Sequence, residues 1–131
     1  MLCGDFNTPQ VEDVDGQIVT WAYRRRGNGQ FYMRRDRGSR WDEGEQRVLT
    51  GLAAYDLADV FRSLHGYGVE AYSWVHNRAG TNVRRRFDHV FASRDLNARE
   101  CRYLHAPREQ KLSDHSPIEV IFHPTDASAP R

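Results

Sequence analysis

Residues 86–92 have the sequence Arg-Phe-Asp-His-Val-Phe-Ala. In an extended chain Phe87 and Phe91 lie on one side and Val90 and Ala92 on the other. Apolar residues on both sides predict a β-strand that is partly buried on both faces. Further strands are predicted by short apolar runs at 72–75, near 101–105 and at 117–122, with a turn at 77–82.

The clearest helical signal begins at Asp42. Glu45 follows three residues later, which is the pattern of a capping box. Apolar residues then recur at helical spacing as far as about Tyr55. A second, shorter helix or a set of tight turns is predicted over 56–65 and ends at the glycines that follow. Helices between short strands predict a mixed α/β (α+β) fold with mainly antiparallel strands.

The segment 11–40 predicts a hairpin followed by a loop. Asp15-Gly16 is a hairpin-turn signal, and 18–23 should be a strand. The stretch 24–40 is rich in Arg and Gly, so we expect a long loop that is exposed and mobile. We expect no internal domain boundary in 1–123 and a disordered polar tail at 124–131.

Composition narrows the class of protein only in part. The length of 131 residues suits one domain, and a net charge of +1 gives no argument for or against nucleic acid. The arginines cluster at 24–40 and at 84–86, where they would contact phosphate or simply face solvent. Cys3 and Cys101 lack the spacing of a disulfide framework. We therefore expect a cytoplasmic protein with no membrane span.

Polar side chains gather at the ends of the predicted strands. Asp5 and Asn7 are two residues apart, so in an extended segment both would point to one side, as suits a hard cation and a phosphate. Asp114 and His115 offer an acidic ligand beside a group that exchanges protons near neutral pH. Asp88 could orient the imidazole. We expect all five residues to converge, because groups that share one phosphate and its metal must lie close together.

Taken in order, these motifs resemble the endonuclease/exonuclease/phosphatase superfamily, and its exonuclease III-like branch most closely. The resemblance covers residues 1–122 and is carried by segments 2–7, 59–62, 72–74, 86–93 and 113–117. It implies that residues 1–123 form the C-terminal half of a four-layer α/β-sandwich. It also implies metal-dependent hydrolysis of phosphate esters, with phosphodiester bonds of nucleic acid as the expected substrate.

The resemblance implies a role for each site residue. Asp5 would position and activate water, Asn7 would hold the phosphate, and His115 would contact or protonate a phosphoryl oxygen with Asp88 behind it. Asp114 would bind Mg²⁺ or Mn²⁺ together with Asp5, since both ions prefer oxygen ligands.

Substrate contacts are expected from Trp74, Asn82 and Arg86, with Trp74 serving either as a pocket wall or as a core residue. Arg85 stands where abasic-site enzymes of this family tend to carry an aromatic residue, which argues against an abasic pocket.

The resemblance also implies that part of the site is missing. The family's N-terminal half supplies a Glu ligand, and nothing equivalent precedes Met1. We expect the missing half, or a second copy, to cover an apolar sheet face. Because few metal ligands remain without that Glu, we expect poor Mg²⁺ affinity and no measurable turnover by this chain alone. The alternative is a non-catalytic module that binds nucleic acid or a partner through its Arg-rich loops.

Overall fold

The computed structural model describes residues 1–124, so the predicted tail from residue 125 onward lies outside the described residues. The α-helices are α1 (Gly38–Leu49), α2 (Val60–His65) and α3 (Ala106–Glu109), and short 3-10 helices span Gly51–Tyr55 and Arg94–Leu96. The strands are β1 (Leu2–Asp5), β2 (Val11–Glu12), β3 (Ile18–Val19), β4 (Tyr23–Arg25), β5 (Phe31–Met33), β6 (Ala58–Asp59), β7 (Trp74–Arg78), β8 (Thr81–Arg85), β9 (Asp88–Ala92), β10 (Ala98–Tyr103) and β11 (Ile118–Phe122).

The strands pair antiparallel throughout the described residues. One sheet has the order β1-β9-β6, and the pairs β2–β3, β4–β5, β7–β8 and β10–β11 form four two-stranded sheets. The predicted α+β class with mainly antiparallel strands is confirmed. Within residues 1–124 no helix is long and apolar enough to cross a membrane.

Strand β9 lies between β1 and β6 and is buried on both faces; its sequence predicts partial burial on both. On one face Val90 and Ala92 join Val60 and Phe61 of α2 and Cys101 of β10 in the hydrophobic core. The other face also packs against aromatic rings, and Phe91 there is fully buried. Burial on both faces fixes the register of β9, because a slip by one residue would exchange the two faces.

Helix α1 begins earlier than predicted. It starts at Gly38 after Arg37, so the capping box proposed for Asp42 and Glu45 is wrong. Both carboxylates instead accept hydrogen bonds from the neighbouring loop: Asp42 from the Thr20 hydroxyl at 2.7 Å, and Glu45 from the backbone N–H of Trp21 at 3.1 Å. Residues distant in sequence therefore bind the two side chains that a capping box would have used.

The predicted loop over 24–40 is also wrong in part. Its first half is the β4–β5 hairpin, in which Arg24 lies opposite Tyr32, and its last residues enter α1. Most of the stretch is exposed, as predicted. The predicted 18–23 strand is divided between β3 and β4. The hairpin at Asp15-Gly16 is confirmed as β2–β3, although its loop is longer than two residues because the Asp13 carboxylate accepts N–H bonds from Asp15 and Gln17.

Five polar residues form a buried ionic group, the Arg86 cluster, consisting of Glu12, Asp59, Arg62, Arg86 and His89. Arg86 donates to both oxygens of Glu12 at 2.9 and 2.7 Å, and to Asp59 Oδ2 at 2.8 Å. Arg62 donates to Glu12 at 2.5 Å, and His89 Nδ1 lies 3.2 Å from Asp59 Oδ2. The cluster therefore joins the β2–β3 hairpin and α2 to the start of β9.

Burial and hydrogen bonding act in opposite directions on the two carboxyl groups of the cluster. Burial alone would raise the pKa of Glu12, but hydrogen bonds from Arg86 and Arg62 hold it below its ordinary value. Burial would likewise raise the pKa of Asp59, and the hydrogen bond with His89 together with the charge of Arg86 outweighs it. Both groups are therefore held in the charged form in the folded protein.

Replacing Arg86 with Met should destabilise the fold strongly. It leaves Glu12 and Asp59 buried without their main cation, a change that typically costs about 3–5 kcal/mol. Urea unfolding followed by circular dichroism measures the effect. Arg84→Met is the matched control, because the Arg84–Glu70 pair is exposed and exposed pairs contribute little. Equal unfolding free energies for the two variants would contradict a structural role for the cluster.

The cluster should also make the protein acid-sensitive. Because the folded-state pKa values of Glu12 and Asp59 are lowered, their stabilisation is complete above the ordinary values of 4.5 and 3.8 and is lost as the pH falls below them. Unfolding free energies measured through this range should fall steeply in the wild-type chain and less steeply in Glu12→Gln. A slope that Glu12→Gln leaves unchanged would show that Glu12 does not contribute.

Candidate active site

Two carboxylates meet at one end of the three-stranded sheet. Strands β1 and β9 pair antiparallel, and their register places Asp5 directly opposite Asp88. The ladder continues for one more bond, from the Phe6 N–H to the Phe87 carbonyl at 2.8 Å. A regular sheet thus fixes the spacing of the two acids.

His115 reaches these acids from a loop that is held by backbone bonds. It forms an isolated β-bridge with Trp74, and the N–H of Ser116 donates to the Ser73 carbonyl at 2.7 Å. His115 Nδ1 lies 2.6 Å from Asp88 Oδ2, and Nε2 lies 3.9 Å from Asp5 Oδ2. The imidazole therefore stands between the two carboxylates, with Asp88 hydrogen-bonded to Nδ1.

Ser73 is a positioning residue whose role the sequence did not indicate. It is fully buried, and its hydroxyl oxygen accepts the backbone N–H groups of Phe87 and Asp88 at 3.0 and 3.1 Å. Its own backbone pairs with the loop that carries His115. Ser73 thus links the two segments that supply Asp88 and His115, and only the tertiary structure reveals this link.

The acids favour the protonated form of His115. Partial burial alone would lower the pKa of this imidazole, but the hydrogen bond to Asp88 and the charges of Asp88, Asp5 and Asp114 raise it above 6.5 overall. Such a group can donate a proton to a phosphoryl or leaving-group oxygen near neutral pH.

Asp5, Asp88 and His115 form the group that could hold a metal ion. Each offers one ligand atom, and these atoms lie within 4.8 Å of one another. Asp88 already binds His115 through Oδ2, whereas the Asp5 side chain is 39% exposed. Asp5 is therefore the more accessible carboxylate for Mg²⁺ or Mn²⁺. Asp114, predicted as a ligand, is exposed and lies outside this group.

Asn7 borders the group but not in the predicted way. Its φ of 53° is left-handed, so Asp5 and Asn7 do not share one face of an extended strand. Instead the Asn7 N–H donates to Asp5 Oδ1 at 2.8 Å, and its carbonyl accepts from Trp21 Nε1 at 2.6 Å. The expected extended geometry fails because the side chain of Asp5 closes a local turn.

The three predicted substrate contacts have different outcomes. Arg86 is 5% exposed and fully engaged in its cluster, so its guanidinium is not available to a substrate. Asn82 pairs with Asn77, which follows Trp74 by three residues in β7. Asn82 therefore lies about 10 Å from the level of Trp74 along the β7–β8 hairpin. Trp74 packs on Phe87 with ring centroids 5.5 Å apart and lines an open cleft, so it is a pocket wall.

This cleft, the tryptophan cleft, adjoins the acids and was not predicted. It has a volume of about 780 Å³. Its apolar walls are Phe6, Trp21, Trp41, Val48, Trp74 and Phe87, and its polar margin includes Asn7, Thr8, Arg37, Arg40 and Glu45. All three tryptophans of the chain meet here although they are far apart in sequence, so no local pattern could have indicated the cleft.

No protein-family model matches this chain, and no curated protein matches it. The resemblance described from the motifs therefore stays a prediction, and the geometry of the site carries the functional argument.

The His115–Asp88 bond can be tested by titration. The pKa of His115, followed by NMR of the ring Cε1 proton, should lie above 6.5 in the wild-type chain and fall in Asp88→Asn, which removes the largest attraction for the imidazolium. Asp114→Asn should lower it less, because Asp114 contributes through charge alone. An unchanged pKa in Asp88→Asn would contradict the geometry described here.

Proposed function

We propose that this chain carries a site for metal-dependent hydrolysis of phosphate esters, and specifically of phosphodiester bonds in nucleic acid. The observation that carries the proposal is the imidazole of His115 held between two carboxylates, with Asp88 on Nδ1 and Asp5 facing Nε2. Such a site combines a proton donor with an accessible carboxylate that can hold a metal ion, and metal-dependent phosphoryl transfer uses both.

His115 acts on the phosphoryl group in this proposal. Asp88 occupies Nδ1, which leaves Nε2 directed toward the side of Asp5. A protonated Nε2 donates to a phosphoryl oxygen and stabilises the charge that develops there. Asp88 fixes the orientation of the ring and favours its protonated form.

Asp5 is the residue that would hold Mg²⁺ or Mn²⁺ and orient the attacking water. A divalent cation at this carboxylate supplies positive charge to a phosphoryl oxygen. Carboxylate oxygens suit these hard ions, but the neighbouring carboxylate is engaged by His115, so we expect weak binding in which the ion keeps several waters. Weak binding is in line with the poor Mg²⁺ affinity and the lack of measurable turnover that the sequence predicts for this chain alone.

A second candidate function is supported by a separate basic groove. Arg25, Arg26 and Arg78 line an exposed groove beside the β4–β5 turn. Three cations on one surface favour contact with a nucleic-acid backbone. If this groove were the only function, binding would depend on these arginines and no hydrolysis would depend on Asp5 or His115.

The proposed function predicts slow hydrolysis that requires both site residues. With the chain in large excess over a labelled oligonucleotide and Mg²⁺ or Mn²⁺ present, a single-turnover assay detects rates too low for steady-state turnover. His115→Ala should lower the rate about a hundredfold or more, the usual contribution of a general acid. Asp5→Asn should lower it similarly and should also weaken Mn²⁺ binding measured by electron paramagnetic resonance.

Asp15→Asn is the matched control, because it makes the same acid-to-amide change on the exposed β2–β3 turn. It should leave the rate at the wild-type value. Equal rates in the wild-type chain, His115→Ala and Asp5→Asn would overturn the proposal and favour the binding module.

A further inference from the structure

We propose that the tryptophan cleft binds an unpaired nucleobase next to the scissile phosphate, so that the preferred substrate is single-stranded nucleic acid. The position of the phosphate rests on the proposed function, whereas the binding of the base does not.

The cleft borders the acidic site, because Phe87 lines the cleft and its ring centroid lies 6.5 Å from that of His115. Asn7 follows Asp5 by two residues, and Phe87 precedes Asp88 directly. Trp74 lines the cleft and forms the β-bridge to His115. A nucleotide whose phosphate lies at the carboxylates therefore has its base within reach of the cleft.

The indole rings are held by their edges. Trp21 Nε1 donates to the Asn7 carbonyl at 2.6 Å, and Trp41 Nε1 donates to Glu45 Oε1. These bonds fix the ring planes before a ligand arrives, which reduces the entropy lost on binding. Trp41 remains 47% exposed, so part of its surface is open to a stacking partner.

The charge of the cleft suits a polyanion. Arg37 lies 4.2 Å above one face of the Trp41 ring and donates to the Trp21 carbonyl at 3.1 Å, whereas Arg40 is exposed at the same margin and is free to meet a phosphate. Among residues 1–124, the one acid that lines the cleft is Glu45, and it is already engaged by Thr8, Trp21 and Trp41. The cleft thus presents aromatic surface with accessible positive charge beside it.

A nucleobase with its phosphate fits both the aromatic surface and the positive charge of the cleft. Every base offers a flat π surface to an indole, and the adjoining phosphates pair with arginine. A base inside a duplex is stacked on both sides and cannot enter a cleft, so the geometry favours single strands. The volume of about 780 Å³ leaves room for one or two stacked bases rather than a helix.

The test measures binding in EDTA, where no metal-dependent cleavage occurs. The probes are a labelled oligothymidylate, an abasic sugar-phosphate oligomer of equal length and a duplex of equal length, with affinity read from fluorescence anisotropy. The wild-type chain should bind the oligothymidylate most tightly. Trp41→Ala should weaken that binding about 5- to 150-fold, the range typical of a lost base–indole stack, and should leave binding of the abasic oligomer nearly unchanged.

Two variants serve as controls. Trp41→Phe keeps a stacking ring and should recover most of the affinity, which separates stacking from misfolding. Tyr55→Ala removes an aromatic residue that is 79% exposed outside the cleft and should have no effect. Equal affinity for oligothymidylate and the abasic oligomer, or an unchanged affinity in a folded Trp41→Ala, would overturn the inference. Trp41-dependent binding without hydrolysis would instead sustain this inference and remove the proposed function.

Discussion

The buried pairing of Arg86 with Glu12 and Asp59 is the interaction on which the rest of the structure depends. A guanidinium withdrawn from water requires acceptors, and here they come from a hairpin and from the start of a helix that are far apart in sequence. Because Arg86 lies two residues before Asp88, the same bonds fix where strand β9 begins. An ionic group that is costly to bury thus helps to fix the position of a site acid two residues along the chain.

The site residues come from a regular antiparallel strand pair and from a loop. Asp5 and Asp88 are fixed by the register of an antiparallel pair, which leaves their backbones little freedom. His115 comes from a loop, and loops are usually less well ordered, but Ser73 ties that loop to the segment before β9. Sites held by such supporting contacts keep the geometry that proton transfer requires. The tryptophan cleft extends this scaffold, because the indole of Trp21 donates to the Asn7 carbonyl in the loop that follows Asp5.

Much of the fold could be predicted from local sequence. The strand at 86–92 and the short helix α2 follow from periodicity, and Asp88 beside His115 follows from the order of the motifs. The rest depends on tertiary contacts: the sequence predicts a helix cap at Asp42 and Glu45, but both carboxylates accept hydrogen bonds from a neighbouring loop. The resemblance predicts Arg86 at the substrate, whereas its acceptors Glu12 and Asp59 are distant in sequence and so could not be predicted from local patterns. The tryptophan cleft could not be predicted for the same physical reason, since its walls come from separate elements.

In the proposed function, the carboxylate of Asp5 and the imidazole of His115 act on one phosphoryl group. Crystals soaked with Mn²⁺ and a non-hydrolysable dinucleotide phosphorothioate would test it most directly through the anomalous signals of manganese and sulfur. We expect manganese at the Asp5 carboxylate and the phosphorothioate within hydrogen-bond distance of His115 Nε2. A phosphorothioate bound in the groove of Arg25, Arg26 and Arg78, with no manganese at Asp5, would contradict it.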